Sequence, residues 1–495
     1  MRKCILVCSL LLFNFMVLAQ VPMLNIISST EYHTATGGVV STNGRSAFIC
    51  GNTFNFNQPE LLRFAHDGSI DWALTYPTIQ SGMQFKSITM LNNLYVAGVF
   101  QDTAFVTAFD TSGNILWSRK LKFLGYNNGS ALKIQTDSTN LYLVTGVMDT
   151  ATNIPSTCIT KLDLNGNIVW TKRLSLAAAL ADLAYSPTSN RLALVTATGG
   201  TSFLTILDTS GAVINARSYL YQCCNVAPAW DSGFVISFFY QSRPILMRID
   251  SNGSPIWTRQ FSDGSNWTAP QPALTLIDGY CYYGIYDNNS DVELLKLDST
   301  GSIVWSKNYA PHLGYSILHA VAPDDNGNLW MLGTRSVIND EYFVGSDDTM
   351  NQTTCISFPG TLTDSIVPPY DSMVNISTQT ILSSTIVMNE TLTSVSLTEN
   401  YACSTGTEEF VQPAIVNVYP IPASDFITFQ FGTHQNRIAE KTITIRDVTG
   451  REITSATSDQ NVVSISVGLL PEGMYFYEVF TTNSKLSSGK FVVSR

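Results

Sequence analysis

Charge is scarce in this chain. Only 13% of its 495 residues are Asp, Glu, Lys or Arg, about half the usual share of roughly 25%. A solvated coiled coil or a highly charged disordered chain is thereby excluded. Basic residues are the scarcer kind, 27 against 38 acidic, and the net charge is −11. A nucleic-acid binder needs a basic face to neutralise phosphates, so no nucleic-acid partner is expected. Only five histidines occur (His33, His66, His312, His319 and His434), widely separated, and no cysteine pair has C-x-x-C spacing. Neither a metal site nor any other cofactor is expected from such a set. Long apolar runs are missing beyond residue 18, so no transmembrane span is expected in the mature chain. Helical periodicity is nearly absent too, residues 176–183 being the one helix-like stretch.

What is present begins with an address. Arg2 and Lys3 precede an apolar run from Cys4 to Leu18, and Val17-Leu18-Ala19 puts small or modest side chains before Gln20. That is the pattern of a secretory signal peptide spanning 1–19, with cleavage between Ala19 and Gln20. The run falls short of the roughly 20 residues that cross a bilayer. No cysteine stands at the cleavage point to carry a lipid. Seven cysteines remain afterwards, an odd number in a compartment that permits disulfides. With 45% hydrophobic residues and about three times the length of a typical domain, the chain can fill two or three cores.

Residues 22 to about 360 are organised by a repeat. Phe109-Asp-Thr-Ser-Gly-Asn-Ile-Leu-Trp117, Leu162-Asp-Leu-Asn-Gly-Asn-Ile-Val-Trp170 and Leu297-Asp-Ser-Thr-Gly-Ser-Ile-Val-Trp305 are its clearest copies, with weaker ones at 64–72, 207–215 and 249–257. Five of the six carry Asp three residues before the glycine, and five carry Trp four residues after it: Trp72, Trp117, Trp170, Trp257 and Trp305. Asp and Gly with small polar residues between them make a hairpin turn, and the alternation beyond it sends the indole to one face of a strand. A second motif precedes each hairpin, as in Asn93-Leu-Tyr-Val-Ala-Gly98 and Asn140-Leu-Tyr-Leu-Val-Thr-Gly146, and occurs seven times from Gly44 to Gly333. Units of about 46 residues, four short strands each, predict an all-β protein whose body (20–360) is a β-propeller of about seven four-stranded blades. The seventh hairpin is degenerate, Cys355-Ile-Ser-Phe-Pro-Gly360 standing where it would fall. These hairpins resemble those of quinoprotein-like and other seven- or eight-bladed propellers, a likeness that implies architecture far more than activity.

Residues 361–404 are a Ser/Thr-rich β extension without basic residues, flanked by Cys355 and Cys403, a candidate disulfide that would fix the extension against the ring. Residues 405–412 read as a linker. From 413 to 495 the charge is balanced, so the propeller part carries −13. Short alternating strands there predict a small Ig-like β-sandwich. Its motifs are Tyr419-Pro420-Ile421-Pro422-Ala423, Asp447-Val-Thr-Gly450-Arg451, Leu470-Pro471-Glu-Gly473-Met-Tyr475 and a terminal segment containing Lys490. Over 413–495 the chain resembles the type A C-terminal sorting domain of the type IX secretion system, with Ile421 where that family usually has Asn. The resemblance implies Sec export, then passage across an outer membrane by the type IX machinery, and arrival at the cell surface or release.

Chemistry is harder to find. A quinone-dependent dehydrogenase is suggested by the Trp repeats and the adjacent Cys223-Cys224, but no set of residues to hold a calcium beside a quinone is evident. A polysaccharide-degrading enzyme would need two carboxylates facing each other, and Asp324, Asp325, Asp347 and Asp348 are candidates. No G-x-S-x-G elbow supports a serine hydrolase. The oxygen-rich stretches 287–291 and 324–328 lack the closing Glu of a calcium loop. No catalytic residue is therefore assigned. The expectation is a non-catalytic binding or scaffold module for a surface glycan or protein, with Tyr219, Tyr221, Trp230, Tyr240, Trp267 and Tyr280 as aromatics outside the hairpins.

Overall fold

The structure is a computed structural model. It describes residues 23–28, 33–41, 43–53, 58–75, 82–175, 180–198, 200–262, 267–287, 292–309, 315–324, 328–336, 340–347, 358–359, 363–368, 371–374, 376, 378–388, 393–394, 398–404, 416–431, 441–448, 451–458, 460, 462–481 and 485–494. Among them there is strand and turn but no helix. The helix-like stretch of the sequence is a strand from Leu180 to Ser186, its first residues lying outside the described set. The chain divides into two compact units, 1–405 and 406–495.

The first unit is a seven-bladed β-propeller. Blades I to VI occupy 33–75, 83–123, 126–174, 180–219, 222–262 and 267–308, each an antiparallel meander of four strands. The recurrent hairpin joins the third strand to the fourth. In blade II the Asp110 N–H donates to the Asn114 carbonyl (2.9 Å) and the Gly113 N–H to the Asp110 carbonyl (3.1 Å). The Asp110 carboxylate meanwhile accepts the N–H groups of Ser112 and Asn114, both at 2.9 Å. Asp163, Asp208, Asp250 and Asp298 repeat this arrangement. One carboxylate thus satisfies the N–H groups that a tight turn leaves without partners.

Blade VII has no such hairpin, because its fourth strand comes from the other end of the unit. Met23–Ser28 pairs antiparallel with Asp340–Asp347, the third strand of that blade. The innermost strand of each blade packs on that of the next, blade VII on blade I included, so the ring is closed. Of the stretch 355–360, expected to be a degenerate seventh hairpin, only residues 358–359 are described, and they do not join blade VII. Phe358–Pro359 instead pairs with the fourth strand of blade VI.

From that point the chain returns round the outside of the ring. Thr363–Ile366 pairs with blade V, Asp371–Met373 with IV, Thr378–Thr380 with III, Ser383–Val387 with II, Thr393–Ser394 with I, and Thr398–Ser404 with Met23–Ser28 of blade VII. Every blade thereby gains a fifth strand, contributed in the reverse of blade order. The backbone N–H groups of Val367, Val374, Ile381 and Met388 donate to the carbonyls of Thr258, Ala216, Thr171 and Ser118, each the residue that follows the Trp position of its blade. Successive anchors are seven residues apart. Val374, Ile381 and Met388 insert into the apolar cores between blades III and IV, II and III, and I and II.

In the second unit a three-stranded sheet (Val416–Tyr419, Phe426–Phe431, Val462–Ser466) and a four-stranded sheet (Lys441–Arg446, Glu452–Ser458, Gly473–Thr481, Lys485–Val493) bury Ile427, Phe429, Ile443, Ile445, Val479 and Phe491 in one core. That is the small sandwich the alternating pattern calls for.

Candidate functional site

The repeated tryptophans hold neighbouring blades together. Trp117 donates its indole N–H to the Leu164 carbonyl in the turn of blade III (2.9 Å), and Trp257 to the Ser299 carbonyl in blade VI (3.0 Å). A Cβ on Gly166 would lie 2.8 Å from Trp117, on Gly211 3.0 Å from Trp170, and on Gly301 2.8 Å from Trp257. Each glycine is therefore required twice, for a positive φ near 80° and for the space its neighbour's indole fills. Where blades IV and VII lack Trp, an Asn amide reaches the next turn: Asn215 to the Asn252 carbonyl (2.6 Å), and Asn25 to the Gly68 carbonyl (3.0 Å) across the closing seam. Trp72 lies against the Gly113 turn, and Trp305 is buried beside Tyr282.

Two polar constellations invisible in sequence join neighbouring blades. A β-bulge at Thr36, Lys86, Leu132, Cys224 and His319 recurs in the first strands of five blades. Around it side chains of one blade meet backbone or side chains of the next. Ser87 accepts the Ile134 N–H (3.2 Å), Lys133 pairs with Asp182 (2.9 Å), and Asp182 accepts the Val226 N–H (2.8 Å). Burial pulls the Lys86 ammonium below its ordinary pKa and the His319 imidazole down to about 4. At the seam between blades VII and I, buried Glu60 accepts from His33 Nδ1 (2.7 Å) and from the Tyr342 hydroxyl (2.8 Å). Burial, and then the Glu60 charge, raise the Tyr342 hydroxyl well above its usual pKa.

The carboxylates considered for hydrolysis do structural tasks where they are described. Asp324 accepts the Asn328 backbone N–H (2.8 Å) and side-chain amide (3.1 Å). Buried Asp347 takes Lys307 (3.2 Å) and the Tyr309 hydroxyl (2.9 Å). Asp325 and Asp348 lie outside the described residues. Among those residues no three His, Cys, Asp or Glu side chains gather as metal ligands.

Of the aromatics outside the hairpins, Tyr219 and Tyr221 are core residues. Trp230, Tyr240 and Tyr280 are exposed. Trp230 sits in the turn between the first and second strands of blade V, and Tyr280 at the same turn of blade VI. In an antiparallel meander that end also carries the Asp–Gly hairpins, so both rings belong to one face of neighbouring blades. Arg248 lies over Trp230 (5.7 Å) and Lys296 over Tyr280 (4.1 Å). The Trp267 side chain is outside the described set.

In the second unit Tyr419, Pro420 and Pro422 are exposed, and Ala423 is fully buried. The Ala423 N–H donates to the Val492 carbonyl (2.8 Å) and its carbonyl accepts the Ser494 N–H (3.0 Å), tying the Tyr-Pro-Ile-Pro-Ala segment to the last strand. Asp447 pairs with Arg451 (3.1 Å), and its backbone N–H and carboxylate bond to Arg451 as each ring Asp bonds to the residue four further on. Gly450 itself lies outside the described residues. Half-buried Leu470 packs on the core, and Tyr475 stacks on Phe491 while its hydroxyl donates to the Pro471 carbonyl (2.9 Å). Gly473 opens the strand that carries Tyr475, and Lys490 is exposed on the last strand. Ala19, Gln20 and Cys355 lie outside the described residues, as does the side chain of Cys403.

Residues 417–494 match the family described as a secretion system C-terminal sorting domain. No curated protein matches the chain. Among solved structures it is similar to the Dos1 propeller (12% identity, 65% of this chain and 80% of that one, TM-score 0.43). It is also similar to the AfRom2 CNH domain (11%, 66% and 100%, 0.38) and to an acylaminoacyl peptidase of Pyrococcus horikoshii (10%, 64% and 51%, 0.40). At such distances none of their chemistry transfers. The second unit is a type IX sorting domain, and the protein is exported by that system to the cell surface or the extracellular space.

Proposed function

We infer that the exported protein is a non-catalytic binding or scaffold module that presents its propeller to a glycan or protein outside the cell. The observation that carries this reading is the pair of exposed rings, Trp230 and Tyr280, on the hairpin face of adjacent blades, each with a cation against it. Exposed aromatic rings suit sugar rings and protein side chains alike. The structural engagement of Asp324 and Asp347 supports binding over hydrolysis. Type IX export supplies the setting, and the secretion machinery is the one partner that the sorting domain implies.

The test passes the mature chain, 20–495, over immobilised polysaccharides and outer-membrane extract, with retention and breakdown assayed together. Retention without breakdown, weakened at least about tenfold by Trp230→Ala with Tyr280→Ala, is the expected result, since buried aromatic anchors dominate binding. Breakdown of a polysaccharide would replace this reading with a hydrolase. Retention unaffected by the substitutions would move the site away from blades V and VI.

A further inference from the structure

We propose that residues 358–404 are a strap that measures the ring and locks it. Its seven-residue pitch allots one segment to each of blades VI to I, and its last strand closes the ring by trapping the N-terminal strand. Three observations converge. First, the anchors Val367, Val374, Ile381 and Met388 recur at a constant interval and bond to equivalent carbonyls of blades V, IV, III and II. Seven extended residues reach about 23 Å. That exceeds the roughly 10 Å between packed sheets, as it must for a chain stepping between the splayed outer edges of radial blades.

Second, polar pins fix three successive steps to their own blades. Asp364 pairs with Arg259 of blade V and Asp371 with Arg217 of blade IV. Lys172 of blade III donates to the Thr380 hydroxyl at 2.7 Å. Arg259, Arg217 and Lys172 occupy one repeat position, two residues past the Trp site, so the strap reads the same place on successive blades.

Third, the strap ends on the one strand that does not follow from its neighbour in sequence. Met23–Ser28 has Asp340–Asp347 on one side and Thr398–Ser404 on the other. Blade VII has no hairpin of its own to hold a fourth strand, so Met23–Ser28 depends on partners more than 300 residues away. Bringing such distant segments together is costly in chain entropy, and a second pairing partner offsets that cost. The ring therefore stays openable at blade VII until residue 404 is in place.

A measure and an adhesive make different predictions, and hydrogen exchange of the full-length protein separates them. Deleting one heptad, 374–380, moves Ile381 to the Val374 anchor on blade IV and Met388 to blade III. Residues 398–404 then fall on blade I, one blade short of Met23–Ser28. Exchange across 23–28 is expected to rise at least about a hundredfold while the hairpins of blades II to V stay protected, as local opening permits. Duplicating the same heptad leaves slack, and exchange across 23–28 is expected to stay within about threefold of the parent. In the triple variant Val374→Ser, Ile381→Ser, Met388→Ser the length is kept, and faster exchange is expected in the strap segments but not across 23–28. Unchanged protection in the deletion overturns the proposal. Should the deletion unfold the whole ring, the duplication decides: loss of protection at 23–28 there also overturns it, and retained protection upholds it.

Discussion

Trp117 of blade II donates its indole N–H to the Leu164 carbonyl of blade III at 2.9 Å, and its ring fills the space that a Cβ on Gly166 would need, 2.8 Å away. The glycine and the tryptophan of the repeat are thus partners between copies, not within one.

Substitution at this contact should be costly from either side. Gly166→Ala forces an alanine to positive φ against the indole, and a loss of about 1–3 kcal/mol is expected. Trp117→Ala empties a partly buried site and should lose about 3 kcal/mol. Trp117→Phe removes the N–H donor but keeps an aromatic ring, with a loss of about 1 kcal/mol. Urea unfolding midpoints of the three variants give the order.

Acid should act on the turns in a defined window. Partial burial opposes ionisation of Asp110, Asp163, Asp208 and Asp298, but hydrogen bonds from the turn outweigh it and hold all four below the usual carboxylate pKa. A lowered folded-state pKa means stability that is present above about pH 4 and lost as pH falls through the folded value. Asp163→Asn should therefore flatten the decline below pH 4, read as unfolding midpoint against pH.

His319 titrates in a different window. Burial holds its folded pKa at about 4, against 6.5 for an ordinary imidazole. Between those values the unfolded chain binds the proton and the folded chain does not, so stability falls as pH drops from 6.5 towards 4. His319→Gln should lessen that fall between pH 6.5 and 4 and leave the aspartate window below it unchanged.

Export has its own tests. Deletion of 413–495 should leave the protein in the periplasm, and its arrival outside would contradict the role of the sorting domain. Tyr475→Ala removes a buried ring stacked on Phe491 and should lose about 3 kcal/mol of domain stability. Tyr475→Phe loses only the bond to the Pro471 carbonyl, about 1 kcal/mol. Cell fractionation should show surface delivery falling with the first and largely kept with the second.

The hairpins were legible because their chemistry is local: Asp, Gly and Trp stand within eight residues and recur in register. The sorting domain was legible through motifs in order. The strap was visible only as a Ser/Thr-rich extension. Its strands are two to seven residues long, and their pairing uses backbone groups that any side chain permits. The fourth strand of blade VII escaped notice because Met23–Ser28 pairs with residues more than 300 positions away. The Glu60–His33–Tyr342 cluster and the bulged inner strands join residues from separate blades, and no spacing in one copy announces them. Trp230 and Tyr280 could be named as aromatics, but only the topology puts them on one face.

The strap also bears on what happens after the protein leaves the cell. A propeller blade ends in an open strand whose unpaired N–H and C=O groups can recruit another chain, and proteins blunt such edges to escape aggregation. Here the long fourth strands, such as Ile115–Phe123, are capped by pieces as short as Phe358–Pro359 and Asp371–Met373, rich in Ser and Thr elsewhere along their length. Six of the seven edges are thereby replaced by fragments of two to five residues, short templates for intermolecular pairing. Crowded among neighbours on a surface, the ring carries its own insulation.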